Sequence, residues 1–232
     1  MKTNNFLKKI IYSLFILTIV IFAIWALNEK YNFIIQEKNI AISEFVEIND
    51  YEGENFSDFS DFRENSIKGP QHVDVNNYSL KLGGLVNNPV NLKYNEVLSD
   101  YASYKKGARL NCVEGWSVDI LWEGVLMSEL LDGLDMQPEA NTIIFKAHDG
   151  YTTSFPLEYV LDNKIIMAYK MNNQKIPEDR GFPFQLVAES KWGYKWIKWI
   201  TEIEISDDES YEGYWESRGY SNTGDLDKAK RD

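Results

Sequence analysis

The sequence predicts an α+β domain of many short strands, set behind one apolar N-terminal helix and an acidic connector. Three observations carry this. Runs of alternating apolar and polar residues, broken by turn-forming pairs, recur from about residue 69 onward. Short stretches with helical spacing lie between them. An uncharged apolar run at residues 10–27 stands apart from both. Hydrophobic residues make up 44% and charged ones 26%, as in folded globular chains.

The apolar run, IIYSLFILTIVIFAIWAL, is rich in Ile, Leu and Phe. At about 1.5 Å per helical residue it is long enough to cross a hydrocarbon core. Lys2, Lys8 and Lys9 precede it, and Asn28, Glu29 and Lys30 follow. That asymmetry predicts a cytoplasmic segment at residues 1–9, a single membrane span at 10–27, and the remainder on the extracytoplasmic side. The rival is a cleaved signal peptide, whose apolar region is usually shorter and ends in an A-x-A-like site. Ala23 and Ala26 are spaced differently, with Trp25 between them, so the uncleaved anchor is the reading taken. Residues 28–68 are polar and acidic, with Asp, Glu, Ser and Phe interleaved. They read as a solvated stalk carrying a few Phe on the domain surface.

Residues 69–232 read as the globular domain. Residues 78–85, YSLKLGGL, alternate as a half-buried strand does, and Asn87, Asn88 and Pro89 make a turn. Residues 92–101 have helical spacing, and 125–134, VLMSELLDGL, predict a short helix ending near Gly133. Residues 142–147 and 151–155 flank Asp149-Gly150 and predict a hairpin. Pro156 opens a short helix. Residues 165–171 and 184–188 are further apolar strands, and 196–205 alternate cleanly enough to predict a strand.

A net charge of −12 argues against nucleic acid as a partner, because a phosphate backbone needs a clustered basic face. One cysteine excludes an intramolecular disulfide and any zinc site built from several thiolates. No dinucleotide, phosphate-loop, zinc-protease or serine-hydrolase motif is present. A single cysteine is by default a small buried hydrophobe.

Three stretches, in order, resemble the molybdopterin-binding domain of the sulfite-oxidase family. The first is YSLKLGGLVNNPVNLKYNEVL. The second is ARLNCVEGWSVDILWEGVLMSELL, with C-V-x-x-W-S its most distinctive part. The third is MAYKMNNQKIPEDRGFPFQLVAESKWGYKWIKWITEIEI, and the closing GYWESRGY also resembles the family's aromatic segment. Together they cover nearly all of residues 70–220. The resemblance implies a compact α+β fold of mixed, mostly antiparallel sheets. It is to the small bacterial type, without the dimerisation domain of animal and plant sulfite oxidases.

The resemblance also implies a molybdenum–molybdopterin cofactor (Moco), with Cys112 as the protein's metal ligand. A soft sulfur suits a transition metal, and coordination holds the thiol deprotonated. Lys195 and Lys198 match the family's phosphate-holding loop, where Gly193 lets the backbone approach and Trp196 and Ile197 complete the cofactor segment. The bland alternative for the lysines is a solvated strand edge. Arg180 and Gln185 depart from the family pattern, with the arginine earlier and a glutamine in its usual place. Arg180 is expected at the cofactor, or else in a surface salt bridge. His148 is either a cofactor contact or an exposed turn residue. Asn111, Glu114, Trp116 and Ser117 flank the ligand and are candidates to shape the pocket. Arg109 is a candidate catalytic cation for an oxyanion, or else an exposed partner for acidic neighbours.

The implied activity is oxo transfer on a small molecule, since sulfite oxidation and methionine-sulfoxide reduction both occur among relatives. No C-x-x-C-H haem motif exists, so electrons would pass through a separate protein, expected in the membrane. The competing expectation is a membrane-anchored binding module that kept the fold without the metal.

Overall fold

The computed structural model describes residues 17–35 and 47–231, in two separate units. The first holds helix α1 (Leu17–Ile35), exposed along its length and apolar enough to cross a membrane. The predicted cytoplasmic segment and residues 10–16 of the span lie outside the described residues. The helix passes Leu27, where the sequence reading ended it. Glu29 and Lys30 are good helix formers, and Tyr31, Phe33, Ile34 and Ile35 restore apolar surface.

Among the described residues of the second unit are two five-stranded sheets and a small hairpin of β1 (Asp50–Tyr51) and β2 (Glu54–Asn55). One sheet orders β10 (Gln174–Lys175), β9 (Ile166–Met171), β6 (Ser117–Leu126) and β5 (Tyr104–Asn111), with β11 (Gln185–Val187) also on β9. The other orders β4 (Val90–Leu92), β3 (Leu80–Gly84), β12 (Ile200–Ser206), β7 (Thr142–Ala147) and β8 (Thr152–Pro156). Every pairing is antiparallel except β3 with β12. Helices α2 (Tyr94–Asp100), α3 (Met127–Leu130) and α4 (Leu157–Asp162) complete the fold.

The β7–β8 hairpin forms as its sequence predicts. The Asp149 carboxylate accepts from the Tyr151 amide at 2.9 Å, and Gly150 takes φ +88°, a conformation that suits glycine. Three expectations are corrected. Helix α3 is only Met127–Leu130, because Val125 and Leu126 pair with Met167 and Ile166 in the β6–β9 ladder. Gly124 permits that pairing, since a Cβ there would lie 2.2 Å from the Met167 carbonyl. Strand β12 begins at Ile200, not at 196. Trp196, Ile197 and Trp199 are all buried, which a strand with one solvated face does not allow, and Trp199 has φ +53°.

The third correction concerns the connector. The compact unit begins at Glu47, so residues 47–68 belong to the domain. Phe62 is core, 3% exposed, packed edge-on to Trp116 and Trp122. Asn172, fully buried, explains the docking. Its amide nitrogen donates to Glu47 and to the Ser57 carbonyl, its amide oxygen accepts from the Leu121 amide, and its own carbonyl accepts from Ile48.

Segments after β12 are joined to the body by a dry ion pair. The Lys195 ammonium meets Glu216 at 2.7 Å, the Ser154 carbonyl at 2.6 Å and the Asn222 carbonyl at 2.9 Å. Removing one partner strands a buried charge. Glu216→Leu is therefore expected to lose about 3–5 kcal/mol in chemical denaturation, while Glu216→Leu with Lys195→Met recovers most of it.

Candidate functional site

Cys112 directly follows strand β5 and opens the loop to β6. Its amide donates to the Trp116 carbonyl at 2.9 Å, and the Gly115 amide to the Cys112 carbonyl at 3.1 Å. Gly115, at φ +92°, makes this tight turn possible. The thiol lines a cleft of about 270 Å³. Burial pushes the Cys112 thiol up, and the Glu114 charge adds to this. Backbone amides of the turn and the Lys230 ammonium pull it down.

Four other parts of the chain close the cleft. Residues 62–67 form a strap over it, tied to the cysteine loop by Asn65 donating to Glu114 at 3.0 Å. Asp149 and Tyr151 come from the β7–β8 turn. Gln185, Gly193, Tyr194 and residues 196–199 form the far wall, and Trp215 and Tyr220 the remaining side.

Of the residues singled out from sequence, Cys112, Glu114, Trp116, Gln185, Gly193, Trp196, Ile197 and Lys198 line this cleft together. Gly193 lies against the cysteine loop, where a Cβ would stand 3.2 Å from the Asn111 carbonyl. Lys198 stands over the Trp199 ring and 3.4 Å from Glu64. Burial pushes its ammonium down, reinforced by Arg180 and opposed by Glu64. The side-chain amide oxygen of Gln185 is buried and has no hydrogen-bond partner among the described residues.

The others stand apart. Arg109 is exposed and forms a fork with Asp119 at 2.8 and 2.6 Å, so it is the surface partner and not a cleft cation. Lys195 has its three protons taken inside the fold, by Ser154, Glu216 and Asn222, and does not line the cleft. His148 is an exposed turn residue whose amide donates to the Trp199 carbonyl. Asn111 offers its backbone to Gly193 and Trp192 rather than its side chain to the cleft. Arg180 lies behind the wall, over the Phe62 ring at 5.4 Å and 3.2 Å from Asp179.

The strap was missed because its composition is that of a solvated linker. Its one legible signal is Arg63, the only basic residue in 47–67. Arg63 lines the cleft, and among the described residues no carboxylate pairs with it.

The residues present fit a molybdenum–molybdopterin group. A soft sulfur ligand, a buried unpaired amide oxygen, a close backbone approach at Gly193 and a half-shielded ammonium converge on one cleft. Fold and cleft together define the class of a molybdopterin-binding oxidoreductase domain. The chain belongs to the oxidoreductase molybdopterin binding domain family, which matches residues 67–215. It is by class a molybdenum-dependent oxidoreductase of the sulfite-oxidase type, with molybdopterin as cofactor.

The uncharacterized oxidoreductase YuiH of Bacillus subtilis is 31% identical over 67% of this chain and 78% of its own length. The protein-methionine-sulfoxide reductase catalytic subunit MsrP of Gluconobacter oxydans is 29% identical over 57% of this chain and 48% of its own. The chain thus spans about half the length of that relative. The crystal structure of the sulfane dehydrogenase SoxCD from Paracoccus pantotrophus shares the fold, with a TM-score of 0.61 at 21% identity over 67% of this chain and 44% of its own.

Asp225 pins the segment after β12, receiving Lys191 and, at 2.6 Å, Lys228. Burial alone would raise its carboxyl, but these bonds hold it at about 2, against an ordinary 3.8. A depressed folded-state pKa stabilises above the unfolded value. The stability gap between wild type and Asp225→Asn, read by thermal unfolding, is expected to be full above pH 3.8 and to close as pH falls through about 2.

Proposed function

We propose that this domain transfers an oxygen atom to or from a small sulfur-centred substrate, a sulfite-like oxyanion or a sulfoxide, with Cys112 as the protein ligand of molybdenum. The observation that carries the reading is that the chain's one thiol faces the same cleft as the unpaired Gln185 oxygen and Lys198. Molybdenum on molybdopterin supplies two-electron oxygen-atom exchange when bound.

The protein's part is to bind, orient and exclude water. Lys198 and the Gly193 backbone suit the pterin's anionic end, and the free Gln185 side-chain oxygen suits an N–H donor of the pterin ring. Arg180 adds positive charge from behind the wall. Phe62, Trp116, Trp215 and Tyr220 present apolar surface that keeps bulk water from the reacting centre. Arg63 takes the place first given to Arg109. Its guanidinium can donate two hydrogen bonds to a substrate oxygen.

Helix α1 supports a membrane-anchored protein with the domain on the extracytoplasmic side. Electrons then pass to or from a separate, membrane-bound carrier. That MsrP is a catalytic subunit is consistent with such a division of labour.

The test is metal and pterin analysis of the full chain purified from a host that makes the cofactor. Wild type should carry molybdenum and pterin near one per chain, and Cys112→Ser should lose oxo transfer while keeping its thermal unfolding. Wild type without either component, or an active Cys112→Ser, would sink the assignment.

A further inference from the structure

The cysteine loop is gripped from a second side by a residue remote in sequence. Lys230 donates from Nζ to the Val113 carbonyl at 3.2 Å. That carbonyl belongs to the residue directly after Cys112, so its orientation limits where the sulfur points. Lys230 is itself held firmly. Its ammonium lies 4.3 Å from the centroid of the Trp192 ring. Its carbonyl accepts from the Ser221 amide at 3.1 Å, and the neighbouring Arg231 bridges to Tyr220, a cleft residue. Trp192 closes the circuit. Its backbone bridges Asn111, immediately before Cys112, and its amide donates to the Gly224 carbonyl at 2.8 Å.

Charge points the same way. Glu114, on the same turn, accepts from Asn65 and from the Trp116 indole at 3.2 Å, and among the described residues it has no cation of its own. Lys230 is the cation that faces this turn.

We propose that Lys230 is a positioning residue for Cys112, fixing the Val113 peptide and setting positive charge beside the sulfur that holds the metal. This rests on the reading of Cys112 as ligand. Hydrogen bonds and charges around a metal-bound thiolate set its orientation and the potential of the metal. A nearby cation favours the more electron-rich, reduced form and so raises the potential.

Two variants test this in the full chain. Lys230→Met removes the donor and the charge, and Lys230→Arg keeps both. Hydrogen exchange at the amides of residues 112–116, read with or without bound metal, should run roughly three- to tenfold faster in Lys230→Met. In metal-loaded protein the molybdenum midpoint potential, read by titration of its paramagnetic signal, should move to a lower value. Lys230→Arg should restore both. Unchanged exchange in Lys230→Met overturns the anchoring, and faster exchange at an unchanged potential overturns the positioning of the metal ligand. Failure of the arginine to restore either overturns the assignment to this donor and charge. A preparation without molybdenum would defeat the cofactor reading instead, and the exchange measurement would still decide the anchoring.

Discussion

The ammonium of Lys195 lies in the dry interior, where a bare charge is not tolerated, and its three protons find three oxygens from separate parts of the chain. One belongs to β8, and the other two to the segment after β12. Glu216 is shared further, accepting from Thr153 at 2.6 Å. The backbone of Lys195 belongs to the 3₁₀ turn Gly193–Lys195, so this cluster anchors the turn that opens the far wall. Gly193 then meets the cysteine loop, and Lys198 turns toward the cleft. The lysine most conspicuous beside the family's phosphate motif thus acts as the joint on which the site is hung.

The cleft is assembled from segments that have no contact along the sequence. Strap, cysteine loop, β7–β8 turn, far wall and closing segment each contribute a few side chains, and each is anchored by bonds outside the cleft. The cleft carries charges of both signs: Lys198 faces Glu64, Arg63 has no carboxylate partner among the described residues, and Glu114 and Asp149 supply carboxylates. An acidic protein can therefore hold an anionic cofactor, because local geometry and not the net charge of −12 governs a partly buried site.

Where sequence reading succeeded, the signal was local. The β7–β8 hairpin follows from Asp149-Gly150 between two β-type runs. The family resemblance pointed to Cys112, Gly193 and Lys198, and the fold brings these three to one cleft. Where it failed, the deciding forces acted across the chain. Residues 125–126 have helical spacing, yet the ladder to β9 claims them. Residues 196–199 alternate, yet all the apolar members are buried between the sheets and the cleft.

Composition and order alone thus determined the α+β class, the apolar N-terminal segment and the uniqueness of Cys112. Only the tertiary structure decided which cations face the cleft. Arg109 went to Asp119, Lys195 to the interior, and Arg63, in a stretch that reads as linker, to the cleft. The physical reason is that the fate of a charged side chain depends on burial and on partners far along the chain. Asn172 docks residues 47–57 and Phe62 the strap beyond them, and neither contact leaves a mark in local periodicity.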